Sequence, residues 1–258
     1  MDKTTIPGVL FGIGMILLGQ KLEGGHAGSL IQATAFIIVI GGTMGAVFVS
    51  YPLGEVISSI KGIKLALQEK PNDTVSLIGQ LVELATIARR DGVLALEGKL
   101  AEVKDPFLKR SLGFLVDGVE ATVARDTLET EIEIEAEEDT VKAKFWGDFG
   151  ALCPTVGVLG AVLGLIHVME NLDNPAALGP GIAVAFVATV YGVGVANLVA
   201  LPISNKIKRK IALEKERKTL IAEGVLAIQE GLNPRILEEK LKSYGGHHAR
   251  HMKPAEKK

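Results

Sequence analysis

Four stretches of this chain carry no charged side chain and are close to the length of a membrane crossing: Thr4 to Gln20, Leu30 to Tyr51, Phe149 to Val168 and Pro180 to Ser204. A helix needs about 20 residues to span a hydrocarbon layer of about 30 Å. Lys, Arg and Glu are confined to the blocks between, and that segregation marks a membrane protein. Composition agrees: mean hydropathy is +0.32 and aromatics are only 5%, so Val, Ile, Leu and Ala carry the apolar content. The expected fold class is an all-α integral membrane protein with four transmembrane helices and a helical cytoplasmic domain. Its segments are residues 1–51 (helices 1 and 2), 52–148 (cytoplasmic helical domain), 149–204 (helices 3 and 4) and 205–258 (C-terminal helix and flexible tail). The first run follows Asp2 and Lys3, as a signal peptide would, but no small-x-small cleavage site follows and a second apolar run comes almost at once. A true span is expected there.

Orientation follows from Lys and Arg. The links Lys21 to Ser29 and Glu170 to Gly179 hold one lysine and no arginine, whereas the blocks Pro52 to Asp148 and Asn205 to Lys258 hold nearly all the rest, including Lys206-Ile-Lys-Arg-Lys210. The positive-inside rule puts both long blocks, and both termini, on the cytoplasmic side.

Within the first long block, breaks are expected at Pro71-Asn72-Asp73, Asp91-Gly92 and Asp105-Pro106. Leu77, Leu81, Leu84, Ala85 and Ala88 fall on one helical face, as in a helical hairpin or small bundle. The alternation in Thr130-Glu-Ile-Glu-Ile-Glu-Ala-Glu-Glu138 resembles a strand, but Leu128, Ile132 and Ala136 form an i, i+4 row, so a long helix running into the third span is expected. Asn205 to Ser243 reads as an amphipathic helix continuing the fourth span, and Gly245 to Lys258 as a disordered tail. His247, His248 and His251 in that tail lack carboxylate or Cys companions and are read as solvated rather than as a metal site.

Several chemistries drop out. A formal net charge of −2, with no basic patch interleaved with aromatics, gives no nucleic-acid partner. The single cysteine, Cys153, reads as a small buried residue. Gly12-Ile-Gly14 lacks a third glycine and no P-loop is present, so no nucleotide cofactor is expected. The glycines fit close helix packing instead: Gly41 with Gly45, Gly160 with Gly164, and Gly192 with Ala196 have small-xxx-small spacing. No carboxylate lies centrally in a span, and no nucleophile-base pair is evident, so the chain is not read as an enzyme. His167, near the outer end of the third span, is either a proton relay or an interfacial histidine, the latter being the plainer reading. Thr189 and Asn197 make a weakly polar stripe on the fourth span. Pro154 and Pro202, expected at similar depth, each remove a backbone donor and together suggest a hinge.

The four-span layout with its large loop after the second span, Ala88-Arg-Arg-Asp-Gly-Val-Leu-Ala-Leu-Glu97, Pro154-Thr-Val-Gly-Val-Leu-Gly-Ala-Val-Leu-Gly-Leu-Ile-His167 and Ala196-Asn-Leu-Val-Ala-Leu-Pro202 together resemble the MotA family of flagellar motor stator subunits. The resemblance covers the chain except its extreme tail. It implies a homopentamer in the bacterial inner membrane surrounding a dimer of MotB, a single-span partner whose membrane aspartate carries the ion. It also implies that ion flow turns the pentamer against the rotor protein FliG. Arg89 and Glu97 match the family's charged rotor-contact positions, with Arg90 assisting, although on the residues alone a surface salt bridge is the plain reading. Pro154 and Pro202 match two functional prolines, and Thr189 a threonine facing the partner's ion site. Ala161 stands where sodium-driven relatives carry threonine, so the resemblance favours protons as coupling ion. The alternatives are an energiser of outer-membrane processes like ExbB and TolQ, which usually have three spans, and an autonomous ion channel or transporter.

Overall fold

A computed structural model describes residues 3–68, 74–173 and 175–244. The expected break at Pro71-Asn72-Asp73, the tail Gly245 to Lys258 and its histidines His247, His248 and His251 lie outside the described residues. All described secondary structure is helical. The membrane-crossing candidates are α1 (Thr5–Leu22) and a second stretch in which a 3₁₀ turn (Ala27–Leu30), α2 (Ala33–Phe36), a π turn (Ile37–Gly41) and α3 (Gly42–Ser50) follow one another. After them come α4 (Leu53–Lys61), α5 (Ile63–Leu67), α6 (Thr74–Asp91), a 3₁₀ turn (Val93–Leu96), α7 (Glu97–Leu100) and α8 (Pro106–Val116). The third span lies in α9 (Ala121–Glu170), and the fourth in α10 (Pro175–Val195), a π turn (Ala196–Ala200) and the start of α11 (Leu201–Gln229), which α12 (Pro234–Tyr244) follows.

The expected breaks have local causes. Gly92 ends α6 with φ +86°, a left-handed conformation that a side chain resists. Asp105 caps α8 by accepting a hydrogen bond from the Leu108 N–H at 2.9 Å, with Pro106 at the first helical position. The glutamate-rich stretch is helical: Leu128 and Ile132 are buried, and the strand-like alternation is overridden by that stripe. Helix α10 begins at Pro175, ahead of the apolar run that opens at Pro180, because a proline fits a helix N-terminus and α10 holds Pro180 inside it. One expectation needs correction. The C-terminal helix is not continuous to Ser243: Gly231, at φ +73°, ends the α11 segment and Pro234 opens α12.

Two compact units form, Met1–Glu69 with Glu138–Lys210, and Lys70–Glu137 with Ile211–Lys258. The membrane unit has a core of Ala35, Val39, Val47, Val56, Phe145, Phe149, Cys153, Val187, Ala188, Ala196 and Ala200. No residue of α1 is buried. The bundle unit is a water-type core around Leu77, Ile78, Leu81, Leu84, Leu108, Leu112, Leu128, Leu220, Ile221, Leu237 and Leu241. Burying each such side chain contributes about 1.5–3 kcal/mol.

Candidate functional sites

Glycines build the seam between the third and fourth spans. Along α9, Gly147, Gly150, Gly157, Gly160 and Gly164 recur at helical spacing and share a face. A Cβ placed on Gly147 would stand 3.2 Å from Ser204 Oγ, on Gly150 2.8 Å from Leu201 Cγ, on Gly157 3.0 Å from the Ala188 carbonyl oxygen, and on Gly164 2.8 Å from the Ala185 nitrogen. From the other side, a Cβ on Gly192 would stand 2.7 Å from the Cys153 carbonyl oxygen. The expected close approach at Gly160, Gly164 and Gly192 is therefore present. Gly41 and Gly45 do not take part, since no neighbouring element among the described residues lies within 4 Å of a Cβ at either; Gly42 is the tight position, 3.0 Å from Val156 Cγ1.

This antiparallel register fixes the level of each candidate residue. Gly160 meets Ala188, so Ala161 and Thr189, each next in sequence, lie at nearly one level. Ala161 is half-buried and offers no oxygen; Thr189, also half-buried, donates its hydroxyl to the Ala185 carbonyl at 3.3 Å. Pro154 packs at Gly192, whose Cβ would stand 3.2 Å from its Cα, whereas Pro202 lies between the Leu201–Gly150 and Ser204–Gly147 contacts. The two prolines are therefore not at one depth: Pro202 is level with a point about five residues, or roughly 7.5 Å, from Pro154 along α9. Both stand inside continuous helix, and Pro202 is the second residue after the π turn, a wide turn where the regular ladder is interrupted. His167 is exposed, and its carbonyl accepts from Asn171 Nδ2 at 2.8 Å. Asn197 is exposed and bonds back to the Val193 carbonyl at 2.9 Å.

Other polar groups at the ends of the spans escaped the sequence reading. Tyr51 donates to Asp148 Oδ2 at 2.5 Å, and Trp146 Nε1–H to the Ser59 carbonyl at 3.0 Å. Tyr191 donates to the Leu30 carbonyl at 2.5 Å and accepts from the Gln32 N–H at 3.2 Å, satisfying the backbone where the second stretch is broken. For Tyr51 and Trp146 the available signal was an aromatic residue near the end of an apolar run, whereas Tyr191 lies in the middle of one and carried no such signal.

The charged motif forms a turn. Arg89 and Arg90 close α6, Glu97 opens α7, and all three side chains are exposed. Arg90 pairs with Asp91 at 2.7 Å, while among the described residues neither Arg89 nor Glu97 has an ion-pair partner, so the surface salt bridge between them does not form. Leu96 is fully buried and anchors the turn; Leu94 is 73% exposed among these charges, an apolar residue that the sequence reading passed over. Among the described residues no cluster of His, Cys, Asp and Glu is placed to hold a metal.

Comparison with known proteins bears on all of this. Residues 6–92 match the Motility protein A N-terminal model, and residues 99–219 the MotA/TolQ/ExbB proton channel family. The chemotaxis protein PomA of Vibrio alginolyticus is 34% identical over 95% of both chains, and motility protein A of Helicobacter pylori 37% identical over 95% of both. The solved flagellar MotAB stator complex from Bacillus subtilis contains a chain that superposes with a TM-score of 0.89 at 35% identity, covering 96% of this chain and 98% of that one. This chain belongs to the MotA/TolQ/ExbB proton channel family, on the motility-protein-A branch that serves the flagellar motor.

Proposed function

We propose that five copies of this chain surround a MotB dimer in the inner membrane, with both termini cytoplasmic, and turn the rotor protein FliG at the expense of a proton gradient. One observation carries the reading. The four apolar runs contain no Asp, Glu, Lys or Arg, and their one histidine, His167, is exposed near the end of its run, so the carboxylate that takes the ion through the membrane comes from another chain. Ala161 and Thr189, at one level of the seam, face the partner's aspartate in this arrangement. With no oxygen at Ala161 to replace the hydration shell of a metal cation, the coupling ion is the proton. Protonation of the partner then shifts the seam, and Pro154 and Pro202 let each helix bend where its ladder lacks a donor. The movement reaches FliG through Arg89, Glu97 and Arg90, whose exposed charges act over distance because two of them have no partner of their own. α1 is an apolar helix of 18 residues, which fits a four-span stator better than a three-span energiser.

Charge reversal tests the rotor contact. Arg89→Glu together with Glu97→Lys is expected to abolish swimming while the chain remains in the membrane at normal level. Unchanged motility in that strain would remove the contact. Equal ion conductance by the chain with and without its partner would favour an autonomous channel.

A further inference from the structure

Helix α10 meets the rest of its unit on two sides. Ala185, Ala188 and Gly192 form the seam with α9, and Tyr191 faces the second stretch, its ring edge-on to Phe36 with 6.4 Å between centroids. Thr189 stands on a third side. It is two residues from Tyr191, and at about 100° per residue the two side chains point about 200° apart. Ile182, Phe186 and Val193 share the Thr189 face and are exposed, so this face is left open to another chain.

The two pinned sides differ in kind. Along the seam glycine, alanine and backbone limit how near the helices come, but such contacts survive a small turn of the helix. Tyr191 is directional. Its hydroxyl donates to the Leu30 carbonyl at 2.5 Å and accepts from the Gln32 N–H at 3.2 Å, and bonds of this kind weaken steeply once alignment is lost. What it holds is a break in the backbone: Ile31 and Gln32 are extended, with ψ of 97° and 105°, so the helical ladder stops there and the groups on either side need partners from elsewhere. Among the described residues, Tyr191 alone on α10 bonds to another span through its side chain, whereas Thr189 bonds back within its own helix.

We propose that Tyr191 is a positioning residue for the ion step: its hydroxyl sets the rotation of α10 and so aims Thr189, on the opposite face, at the carboxyl of the partner. The inference rests on the reading of Thr189 given above. A staple for the break could come from any residue that reaches it. A tyrosine two residues from Thr189 ties the break to the one turn of α10 that carries the ion-site threonine.

Tyr191→Phe keeps the ring and its contact with Phe36 and removes only the hydroxyl. The full chain is expressed with its partner in a strain lacking its own copy, and single motors are followed through a small bead at vanishing load. Torque adds over the engaged units, but at vanishing load speed follows the cycle rate of each unit, so a chain that merely assembles less well loses torque under heavy load and keeps its unloaded speed. Tyr191→Phe is expected to lower unloaded speed roughly two- to tenfold, the range that loss of one hydrogen bond gives, with a normal amount of chain in the membrane. Thr189→Val should slow the motor too, and the double variant should be no slower than the slower single one, because both changes act on one step. Unloaded speed equal to wild type in Tyr191→Phe overturns the proposal, as does slowing that multiplies in the double variant, or a phenylalanine chain missing from the membrane. Wild-type speed in Thr189→Val would instead overturn the ion-site reading itself.

Discussion

The two units solve the same problem, holding helices together, by opposite means. In the bundle unit large side chains fill the interior: Leu81, Leu108, Leu112, Leu128, Leu220 and Ile221 are essentially inaccessible. In the membrane unit the third and fourth spans meet through glycine, alanine and backbone, while Val158, Leu159, Val162, Leu163 and Leu165 remain exposed on the outside of the same helix. The solvent explains the difference. Water drives apolar side chains together, but a hydrocarbon solvent is as apolar as leucine, so association there relies on close backbone approach. Charge divides the same way. The bundle unit matches carboxylates on α9 with cations, Arg110 to Glu131 at 3.0 Å, Lys215 to Glu133 at 3.2 Å and Lys218 to Glu135, with Lys218 also 5.0 Å from the Phe107 ring centroid. The membrane unit relies more on Tyr and Trp donors, Tyr51 to Asp148, Trp146 to the Ser59 carbonyl and Tyr191 to the Leu30 carbonyl, alongside the ion pair of Lys142 with Asp139 at 2.5 Å.

The sharpest way to break this comparison is to add side chains at the seam. Gly192→Val places atoms where even a Cβ stands 2.7 Å from a backbone oxygen and 3.0 Å from Gly157 Cα, and backbone cannot swing aside as a side chain can. Overpacking costs about 1–3 kcal/mol and more where backbone must shift. Loss of swimming and a depleted membrane pool on immunoblot are expected. Gly41→Val, with no neighbouring element among the described residues within 4 Å of the new Cβ, should leave the protomer in the membrane. Equal tolerance of both substitutions would mean that the seam does not hold the spans together.

Removing volume from the bundle unit is the complementary test, and its expected effect is smaller. Leu81 is fully buried against Gly224, whose Cβ would stand 2.8 Å from Leu81 Cδ1. Leu81→Ala should destabilise by about 2–5 kcal/mol, read as a lower melting temperature of the purified protein and as motility lost on warming. A melting temperature unchanged from wild type would show that the leucine core does not limit stability.

The contrast also explains what the sequence could and could not tell. Long charge-free runs and the Leu77, Leu81, Leu84 row exposed the spans and the bundle because both follow from how much apolar surface a segment carries and at what period. The glycine pairings were legible only in part. Gly160 and Gly164 share a spacing with Gly41 and Gly45, yet only the former face a helix of this chain; spacing gives a face, not what lies opposite. The matched depth of Pro154 and Pro202 failed for the same reason: distance from a span end is a poor guide when α9 and α11 both run beyond the apolar segment without a break. The Tyr51–Asp148 and Trp146–Ser59 bonds join residues far apart in sequence, and no local pattern announces such partners. Arg89, Arg90 and Glu97 were found through resemblance, and their exposure agrees with a contact surface without by itself assigning one.

Acid should separate the units further, because charge pairing is concentrated in the bundle unit. Burial would raise the pKa of Glu223, but hydrogen bonds from Lys240 Nζ at 2.8 Å and Arg125 Nη1 at 2.7 Å outweigh it and hold the carboxyl below the ordinary glutamate value of 4.5. A carboxyl depressed on folding stabilises the fold above its unfolded pKa, and that contribution is lost as pH falls through the folded value. Glu223→Gln should therefore melt lower than wild type at neutral pH, with the gap closing as pH falls below about 4.5. A gap constant across that range would show that the carboxylate charge contributes nothing and only the shape of the side chain matters.

The smallest effect is expected at Arg90. Its bond to Asp91 is short, 2.7 Å, but the two side chains are 74% and 41% exposed and neighbours in sequence. Water and salt screen such a pair, and adjacent residues meet in the unfolded chain as readily as in the folded one, so folding gains nothing from it. Arg90→Gln should leave the melting curve of the purified protein superimposable on wild type and reduce swimming speed less than Arg89→Gln, because Asp91 already neutralises Arg90 whereas Arg89 presents an unpaired charge. A destabilised Arg90→Gln protein would mean that exposed charge, and not only the leucine core, supports the bundle unit. A motility loss as deep as that of Arg89→Gln would mean that the Arg90–Asp91 pair opens when the rotor docks.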